Sequence, residues 1–313
     1  MENTLIKVSN ISKHFPLSKR EYLTAVNEVS LDIKQGDIIG VVGESGCGKT
    51  TLGKLVLNLE TADEGDVFYK DTLISDLNLK KMKPYRKYMQ MIFQNTGDAF
   101  DPYMSVRQIL RESIDNFNMG KDIDVEKTLV SIMEDVGLSE EYLNMYPEEL
   151  SGGQRQRVGI ARALVTNPEF IVCDEAVSNL DYSIRNKVLD LLIKLREERN
   201  LTYMFISHDI TAVNYICQKV IVMYAGTIME IIPNLKNEDD IKHPYTKALI
   251  AAKLRADPYD RRANRILFLT EEKPQGTGCP FYSRCLEGTE KCRDCAPELK
   301  SIGENHYTAC HYH

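Results

Sequence analysis

The chain has 313 residues, 43% of them apolar, and a formal net charge of −7 at pH 7. This length and apolar content are enough for one large packed domain or two ordinary ones. The acidic balance argues against a nucleic-acid partner, because such proteins usually carry a clustered basic face. The first residues lack the layout of a signal peptide, and no apolar run approaches the ~20 residues that span a bilayer. We therefore expect a cytosolic chain.

Apolar runs alternate with helical patterns, which is typical of an α/β fold with a mostly parallel sheet. The patterns predict strands at residues 37–42, 170–173 and 202–207, and helices at residues 50–59 and 184–199. Residues from about 95 to 167 contain helical stretches without a convincing strand, so we interpret them as a helical insertion. A boundary follows near Pro233, and beyond it come a charged segment at 257–265 and a cysteine-rich tail.

A glycine-rich segment lies between the first of these strands and the first helix. It fits the pattern G-x-x-x-x-G-K-[ST] and consists of Gly43, Glu44, Ser45, Gly46, Cys47, Gly48, Lys49 and Thr50, followed by Thr51. Glycines let successive backbone N–H groups curl around phosphate oxygens at a helix N-terminus. In such loops the lysine reaches the β- and γ-phosphates and the hydroxyl binds Mg²⁺. We call this segment the phosphate loop. An ordinary glycine-rich turn is the alternative, but it would not require the flanking strand and helix.

Two adjacent carboxylates, Asp174 and Glu175, end the apolar run at 170–173. Next to a phosphate loop, Asp174 would hold Mg²⁺ and Glu175 would orient or deprotonate the water that attacks the γ-phosphorus. Taken alone, an acidic pair after a strand is more often a solvated strand end.

A second glycine motif occurs at the start of the predicted helix 154–164. It contains Ser151, Gly152, Gly153 and Gln154 within the run Leu-Ser-Gly-Gly-Gln-Arg-Gln-Arg. An ordinary N-cap explains the serine but not the paired glycines, which expose N–H groups as a second phosphate site. This run resembles the signature motif of the ATPases of ABC transporters. The resemblance implies an ABC-type P-loop ATPase domain that binds ATP and Mg²⁺.

The resemblance extends to the remaining landmarks of that family, which occur in the expected order. It implies that Gln94 contacts Mg²⁺ and the membrane subunits, that Asp181 lies in a loop crossing a dimer interface, and that His208 contacts the γ-phosphate. Phe15 stands where the family usually places the aromatic residue that stacks on adenine, and Tyr22 competes for that role. Ala176 and Asn179 depart from the usual residues in the interface loop without removing a catalytic group.

The resemblance to the ATPases of oligopeptide and dipeptide importers covers nearly the whole chain, including the segment His243 to Thr246. It implies an ATPase domain at 1–235 and a C-terminal extension at 236–313. It also implies that two subunits sandwich ATP. The expected partners are a second, different ATPase subunit, two membrane-spanning permeases and an extracytoplasmic binding protein, with this chain held at the cytoplasmic side of the membrane through the permeases. The sequence itself does not exclude a homodimer of this chain.

Five of the eight cysteines lie in the last 35 residues, with spacing C-x5-C-x6-C-x2-C-x14-C. In a reducing cytosol such clustering indicates metal ligation or redox chemistry. Four positions match the tail of the peptide-importer subfamily: Cys279, Cys285, Cys292 and Cys310. Cys295 is an additional cysteine that could substitute for one of them. A four-thiolate set suits a [4Fe-4S] cluster, with zinc or a metal-free thiol fold as alternatives.

Three other functions compete with peptide import. Nickel and metallophore importers share the subfamily, and substrate choice is made by subunits that this chain does not contain. A soluble ABC ATPase of DNA repair or translation would usually carry tandem units or long insertions, which the sequence lacks. A mainly metal-binding or redox protein conflicts with the intact Lys49, Asp174, Glu175 and His208.

Overall fold

The structure is a computed structural model that describes residues 3–18, 21–94, 100–121, 123–178, 180–233, 235, 238–254 and 277–313. The charged segment predicted at 257–265 and the departure at Asn179 lie outside these ranges. Among the described residues, every helix is too short or too polar to cross a bilayer.

Strands form where the sequence patterns predict them, at residues 37–42, 170–173 and 202–207, and helices form at the predicted residues 50–59 and 184–199, with slightly different ends. The strands are β1 (Thr4–Pro16), β2 (Tyr22–Lys34), β3 (Ile38–Val42), β4 (Glu64–Tyr69), β5 (Thr72–Leu73), β6 (Met89–Ile92), β7 (Phe170–Asp174), β8 (Thr202–Ile206), β9 (Lys219–Tyr224), β10 (Thr227–Ile232), β11 (Lys300–Gly303) and β12 (His306–Thr308). The helices are α1 (Lys49–Val56), α2 (Leu79–Arg86), α3 (Val106–Asn116), α4 (Val125–Asp135), α5 (Gly152–Leu164), α6 (Tyr182–Arg199), α7 (Ile210–Ile216), α8 (Pro244–Leu254) and α9 (Glu290–Asp294).

The larger sheet has the strand order β11-β12-β10-β9-β3-β8-β7-β6. Its central pairs, from β9 to β6, are parallel, whereas β9, β10, β12 and β11 pair antiparallel. Strands β3, β7 and β8 are buried along their whole length, as expected for parallel strands covered on both faces. The predicted mostly parallel α/β sheet is thus confirmed, with an antiparallel edge that the sequence patterns did not indicate.

A second, antiparallel sheet has the order β2-β1-β4-β5. The sequence analysis predicted no strands here, although β1 and β2 are each 13 residues long. Their pairing contains several register shifts, for example between Val8 and Ile11. Each bulge resets the alternation of buried and exposed side chains, so the period of two that reveals a strand is interrupted.

Between β6 and β7, the residues that the structure describes form helices and 3₁₀ turns and contain no strand. Helix α3 begins with a capping box in which Ser105 and Gln108 bond each other's backbone N–H groups. Its buried residues join one apolar core with those of α4 and α5. The prediction of helical stretches in this part of the chain therefore agrees with the described residues.

The C-terminal tail joins the larger sheet through β12, which pairs with β10. Glu230 of β10 is completely buried, and its carboxylate accepts hydrogen bonds from the backbone N–H groups of Lys242 (2.8 Å) and His243 (3.1 Å). His306 Nε2 of β12 donates to the same carboxylate at 3.0 Å. One side chain thus connects the last core strand, the approach to α8 and the tail hairpin.

Candidate functional site

The central parallel strands deliver most of the predicted site residues to one edge of the larger sheet. The phosphate loop follows β3, Glu175 follows β7 and His208 follows β8 within two residues, and β8 lies between β3 and β7. Because the carboxyl ends of parallel strands share an edge, these groups meet although more than 120 residues separate the loop from the others. The topology therefore brings these groups together at one site.

The phosphate loop needs its first and last glycines for space as well as for backbone conformation. A Cβ atom on Gly43 (φ 155°) would lie 2.2 Å from the Met223 carbonyl oxygen, and one on Gly48 (φ 103°) would lie 1.9 Å from the Ala25 carbonyl oxygen. Positive φ is also costly for any residue with a side chain. The loop is therefore built against β2 and β9, and α1 begins at Lys49, directly after Gly48.

Lys49 is 7% exposed and its ammonium group is turned back into the loop. Its Nζ donates to the carbonyl oxygens of Gly43 (3.0 Å) and Glu44 (2.8 Å). Burial raises the pKa of the neighbouring Cys47 thiol. The lysine thus lies inside the loop, where phosphate oxygens would compete with the carbonyl oxygens for it.

Thr50 and Asp174 place two side-chain oxygen atoms close together next to the loop. The Thr50 hydroxyl donates to Asp174 Oδ1 at 2.9 Å. Burial raises the pKa of Asp174, an effect that the Thr50 hydrogen bond partly offsets. Oxygen donors are the ligands that Mg²⁺ prefers, so this pair fits the cation that accompanies ATP.

Glu175 and His208 form a second pair at the same edge. Glu175 Oε1 accepts from the backbone N–H of His208 at 3.1 Å and lies 2.9 Å from its Nδ1. The second oxygen, Oε2, is 2.8 Å from Nδ1 but lacks hydrogen-bond geometry. Glu175 has φ 51°, a sparsely populated conformation for a residue with a side chain. The carboxylate is therefore fixed by a histidine whose own ring is half exposed.

Gln94 and Asp181 follow β6 and β7 along the chain. Gln94 follows β6 by two residues and is exposed. Asp181 is the N-cap residue of α6, is exposed, and makes no side-chain capping bond. Neither residue is part of the Thr50–Asp174 or Glu175–His208 pairs.

The signature loop, residues Ser151 to Gln154, lies at the start of α5. Ser151 caps α5 in a capping box with Gln154, and Gln154 also bonds the Tyr142 hydroxyl. Among the described residues, the side-chain hydrogen bonds of Ser151 and Gln154 stay within this segment. The helix was predicted to begin at residue 154 but begins at Gly152, so both glycines lie in its first turn. A Cβ on Gly152 would meet open space, whereas one on Gly153 would lie 2.7 Å from Ile184.

The two candidates for adenine stacking lie on the β1–β2 ribbon. Phe15 is half-buried and pairs in register with Leu23, while Tyr22 pairs with Pro16. Because side chains alternate along a strand, Phe15 and Tyr22 emerge on opposite faces. Lys13 Nζ lies 5.4 Å from the Phe15 ring centre, and Tyr22 is 64% exposed beside His14 and Asp63.

Four tail cysteines line one small cavity of about 20 Å³: Cys279, Cys285, Cys292 and Cys310. Cys295 is exposed and lies outside the cavity lining. Burial raises the pKa of the Cys279 thiol to about 11, and burial also raises the pKa of Cys285 and Cys310. As the side chains stand, no three His, Cys, Asp or Glu residues in the described part of the chain are arranged to hold a metal ion.

The sequence analysis missed two residues that contact the phosphate loop from the C-terminal part of the chain. The Tyr245 hydroxyl accepts from the Glu44 backbone N–H at 3.0 Å, and Arg284 forms an ion pair with the Glu44 carboxylate at 2.7 Å. Both lie at least 200 residues from Glu44 along the chain. No local pattern could have connected them.

Two family models match the chain. One is described as "ABC transporter" and matches residues 26–178, and the other is described as "Oligopeptide/dipeptide transporter, C-terminal region" and matches residues 225–292. The chain is 39% identical over 312 residues to YkfD of Bacillus subtilis (strain 168), covering 98% of this chain and 95% of YkfD. It is 37% identical over 325 residues to "Oligopeptide transport ATP-binding protein AppF" of the same strain, covering 99% of this chain and 98% of AppF.

Solved structures show the same core fold. The chain is similar to MJ0796, a bacterial ABC transporter cassette solved as a dimer, with 28% identity and a TM-score of 0.66 over 74% of this chain and 100% of MJ0796. A post-hydrolysis dimer of MJ0796 bound to ADP and Pi gives 27% identity and a TM-score of 0.65 over the same shares of the two chains.

Proposed function

Because the chain belongs to the family of ABC-transporter ATP-binding proteins that serve oligopeptide and dipeptide import, we propose that its sheet edge is the site where ATP is bound and hydrolysed. The observation that carries this proposal is the meeting of the phosphate loop with the Thr50–Asp174 and Glu175–His208 pairs at the carboxyl ends of β3, β7 and β8.

The proposed roles follow from the chemistry of each group. The backbone N–H groups of residues 43–51 and the Lys49 ammonium would bind the phosphates. Thr50 and Asp174, together with Gln94, would hold Mg²⁺, which neutralises phosphate charge when bound. Glu175 would orient and deprotonate the attacking water, and His208, which contacts Glu175, would fix its direction and reach the γ-phosphate.

The signature loop would act on a nucleotide held by a second subunit. Two observations support this: Ser151 and Gly152 are exposed at the start of α5, and the MJ0796 cassettes were solved as dimers. In this arrangement Ser151, Gly152, Gly153 and Gln154 of one subunit complete the phosphate site of the other, with Asp181 in the interface. Helix N-termini suit this task because their backbone N–H groups carry positive potential.

The transport complex would contain a second, different ATPase subunit, two membrane-spanning permeases and an extracytoplasmic binding protein. This chain would sit at the cytoplasmic side of the membrane through the permeases, with residues 1–235 as the ATPase domain, about 95–167 as its helical subdomain and 236–313 as the extension. The exposed Gln94, at the junction of β6 with the helical part, would contact the permeases.

To test this function, the tagged chain is purified from detergent-solubilised membranes, and its partners and ATP turnover are measured together. Recovery of two permeases, with turnover increased by a peptide-loaded binding protein, is the expected result. If a nickel chelate stimulates turnover and peptide does not, the complex is a nickel or metallophore importer. Turnover indifferent to membrane components, with only soluble partners recovered, would contradict a role in transport.

The cysteine cavity would hold a metal centre, for which a [4Fe-4S] cluster is our proposal and tetrahedral zinc the competing outcome. Its support is the convergence of Cys279, Cys285, Cys292 and Cys310 on one cavity. Thiolates are the ligands that both centres use. The present cavity is about the size of one water molecule, so the thiols must move apart to hold a four-iron cluster.

Replacing a cavity cysteine should remove this metal, whereas replacing the exposed cysteine should not. We expect Cys292→Ser to lose most of the bound metal, because a serine hydroxyl is a much weaker metal ligand than a thiolate. Cys295→Ser is the matched control and should retain it. Iron, acid-labile sulfide and zinc are measured on anaerobically purified chains. Equal metal content in both variants, or a wild-type chain without metal, would refute the site.

A further inference from the structure

Glu44, the second residue of the phosphate loop, is held from three directions. Its carbonyl oxygen accepts from Lys49 at 2.8 Å, and its backbone N–H donates to the Tyr245 hydroxyl at 3.0 Å. Its carboxylate accepts two hydrogen bonds from Arg284, with Nη2 to Oε1 at 2.7 Å and Nη1 to Oε2 at 2.9 Å. Two of these three interactions come from outside the loop: Tyr245 belongs to α8 and Arg284 to the cysteine-bearing tail.

Arg284 is well placed for a fixed interaction. Its side chain is 6% exposed, and Nη1 also donates to the Tyr224 hydroxyl at 3.3 Å. The guanidinium carbon lies 5.5 Å from the Tyr224 ring centre and 5.7 Å from that of Phe281. The hydrogen bond to Glu44 raises the pKa of Arg284, so the guanidinium stays charged. A planar, two-point pair of this kind defines direction as well as distance.

An aromatic cluster fixes the tail turn that carries Arg284 against the core. Phe281 lies 5.3 Å from Tyr245 and 5.4 Å from Tyr224, and Tyr224 lies 4.8 Å from Tyr245, measured between ring centres. Phe281 and Tyr245 are almost completely buried. The turn itself runs between Cys279 and Cys285 and is closed by backbone hydrogen bonds. The position of Arg284 therefore depends on the tail being folded.

We propose that Arg284 is a positioning residue for ATP binding: by fixing Glu44 it sets the phosphate loop and Lys49, so that ATP affinity depends on a folded cysteine tail. This inference rests on the proposed function, because it concerns the same nucleotide site. Arg284 pairs with the phosphate loop, whereas Glu175 and His208 follow β7 and β8, which lie across β3 from the tail strands. Its loss should therefore affect ATP binding more than the chemical step.

The test measures ATP binding to the full chain by calorimetry and turnover at saturating ATP in the assembled complex. Arg284→Ala should raise the Kd for MgATP by about tenfold, the scale expected for a lost charge-assisted pair, and change kcat by less than about threefold. Arg284→Lys keeps the charge but not the two-point geometry and should restore part of the affinity. The matched control is Arg293→Ala, which replaces an exposed arginine of the same tail and should bind ATP like the wild type.

A second variant addresses the same pair from the loop side in case Arg284→Ala fails to fold. Glu44→Gln alone should also raise the Kd, and the double variant should add little to either single change, because both remove one interaction. Unchanged affinity in the folded Arg284→Ala chain, fully additive effects in the double variant, or an equal shift in Arg293→Ala would each overturn the inference. A wild-type chain that does not bind ATP would instead refute the proposed function.

Discussion

Glu175→Gln should lower ATP turnover in the assembled complex by about a thousandfold, the scale of a lost general base. The amide keeps the size of the side chain and can still accept the hydrogen bond from the His208 backbone N–H, so the site should keep its shape. ATP binding should therefore stay within about threefold of the wild type. The measurement is kcat at saturating ATP, with calorimetric ATP binding on the same protein. The variant should also accumulate as an ATP-bound closed dimer.

Glu169→Gln is the matched control for this result. Glu169 directly precedes the same strand, β7, at the end away from the phosphate loop, where its carboxylate accepts from the Tyr69 hydroxyl at 2.8 Å. The same change of carboxylate to amide there should leave turnover within about twofold, since no reacting group is near. Turnover in Glu175→Gln within tenfold of the wild type would rule out Glu175 as the base.

Glu230→Ala should destabilise the chain by about 3–5 kcal/mol, the cost of breaking a buried charged network. The carboxylate accepts from Lys242, His243 and His306, so its removal leaves three buried or partly buried donors without their acceptor. The β10–β12 pairing should fail first, because His306 belongs to the short β12. Chemical denaturation gives the free energy of unfolding, and limited proteolysis reports whether the tail is released.

Glu230→Gln tests whether the charge or the acceptor geometry matters. The amide keeps one oxygen, so it can serve some of the donors, and the loss should be smaller than for alanine. Glu298→Ala, which replaces an exposed glutamate of the same tail, should leave the free energy of unfolding within about 0.5 kcal/mol of the wild type. Equal stability of Glu230→Ala and wild type would show that the tail is held in place by its apolar contacts alone.

The parts of the site that lie in short segments could be predicted from the sequence. The phosphate loop, the Asp174–Glu175 pair and His208 each follow an apolar strand, and a strand end with a particular residue type is a local pattern. The order of β3, β8 and β7 within the sheet is not local, so the hydrogen bond between Thr50 and Asp174 and the contact between Glu175 and His208 emerged only from the fold.

Other features left no readable pattern. The β1–β2 ribbon was missed because its bulges interrupt the alternation of side chains. Strands β11 and β12 were missed because they are short and β11 is exposed throughout. Glu230 looks like one polar residue within an apolar strand, and only the covering tail makes it a buried acceptor.

The sequence by itself determined the family and the α/β class and predicted the nucleotide-binding residues, because those predictions depend on residue types at fixed spacing within a few positions. The tertiary structure decided which of them share a site, that four cysteines face one cavity while Cys295 does not, and that Arg284 reaches Glu44. These relations join residues far apart along the chain, and only the packing of strands, helices and tail brings their side chains within bonding distance.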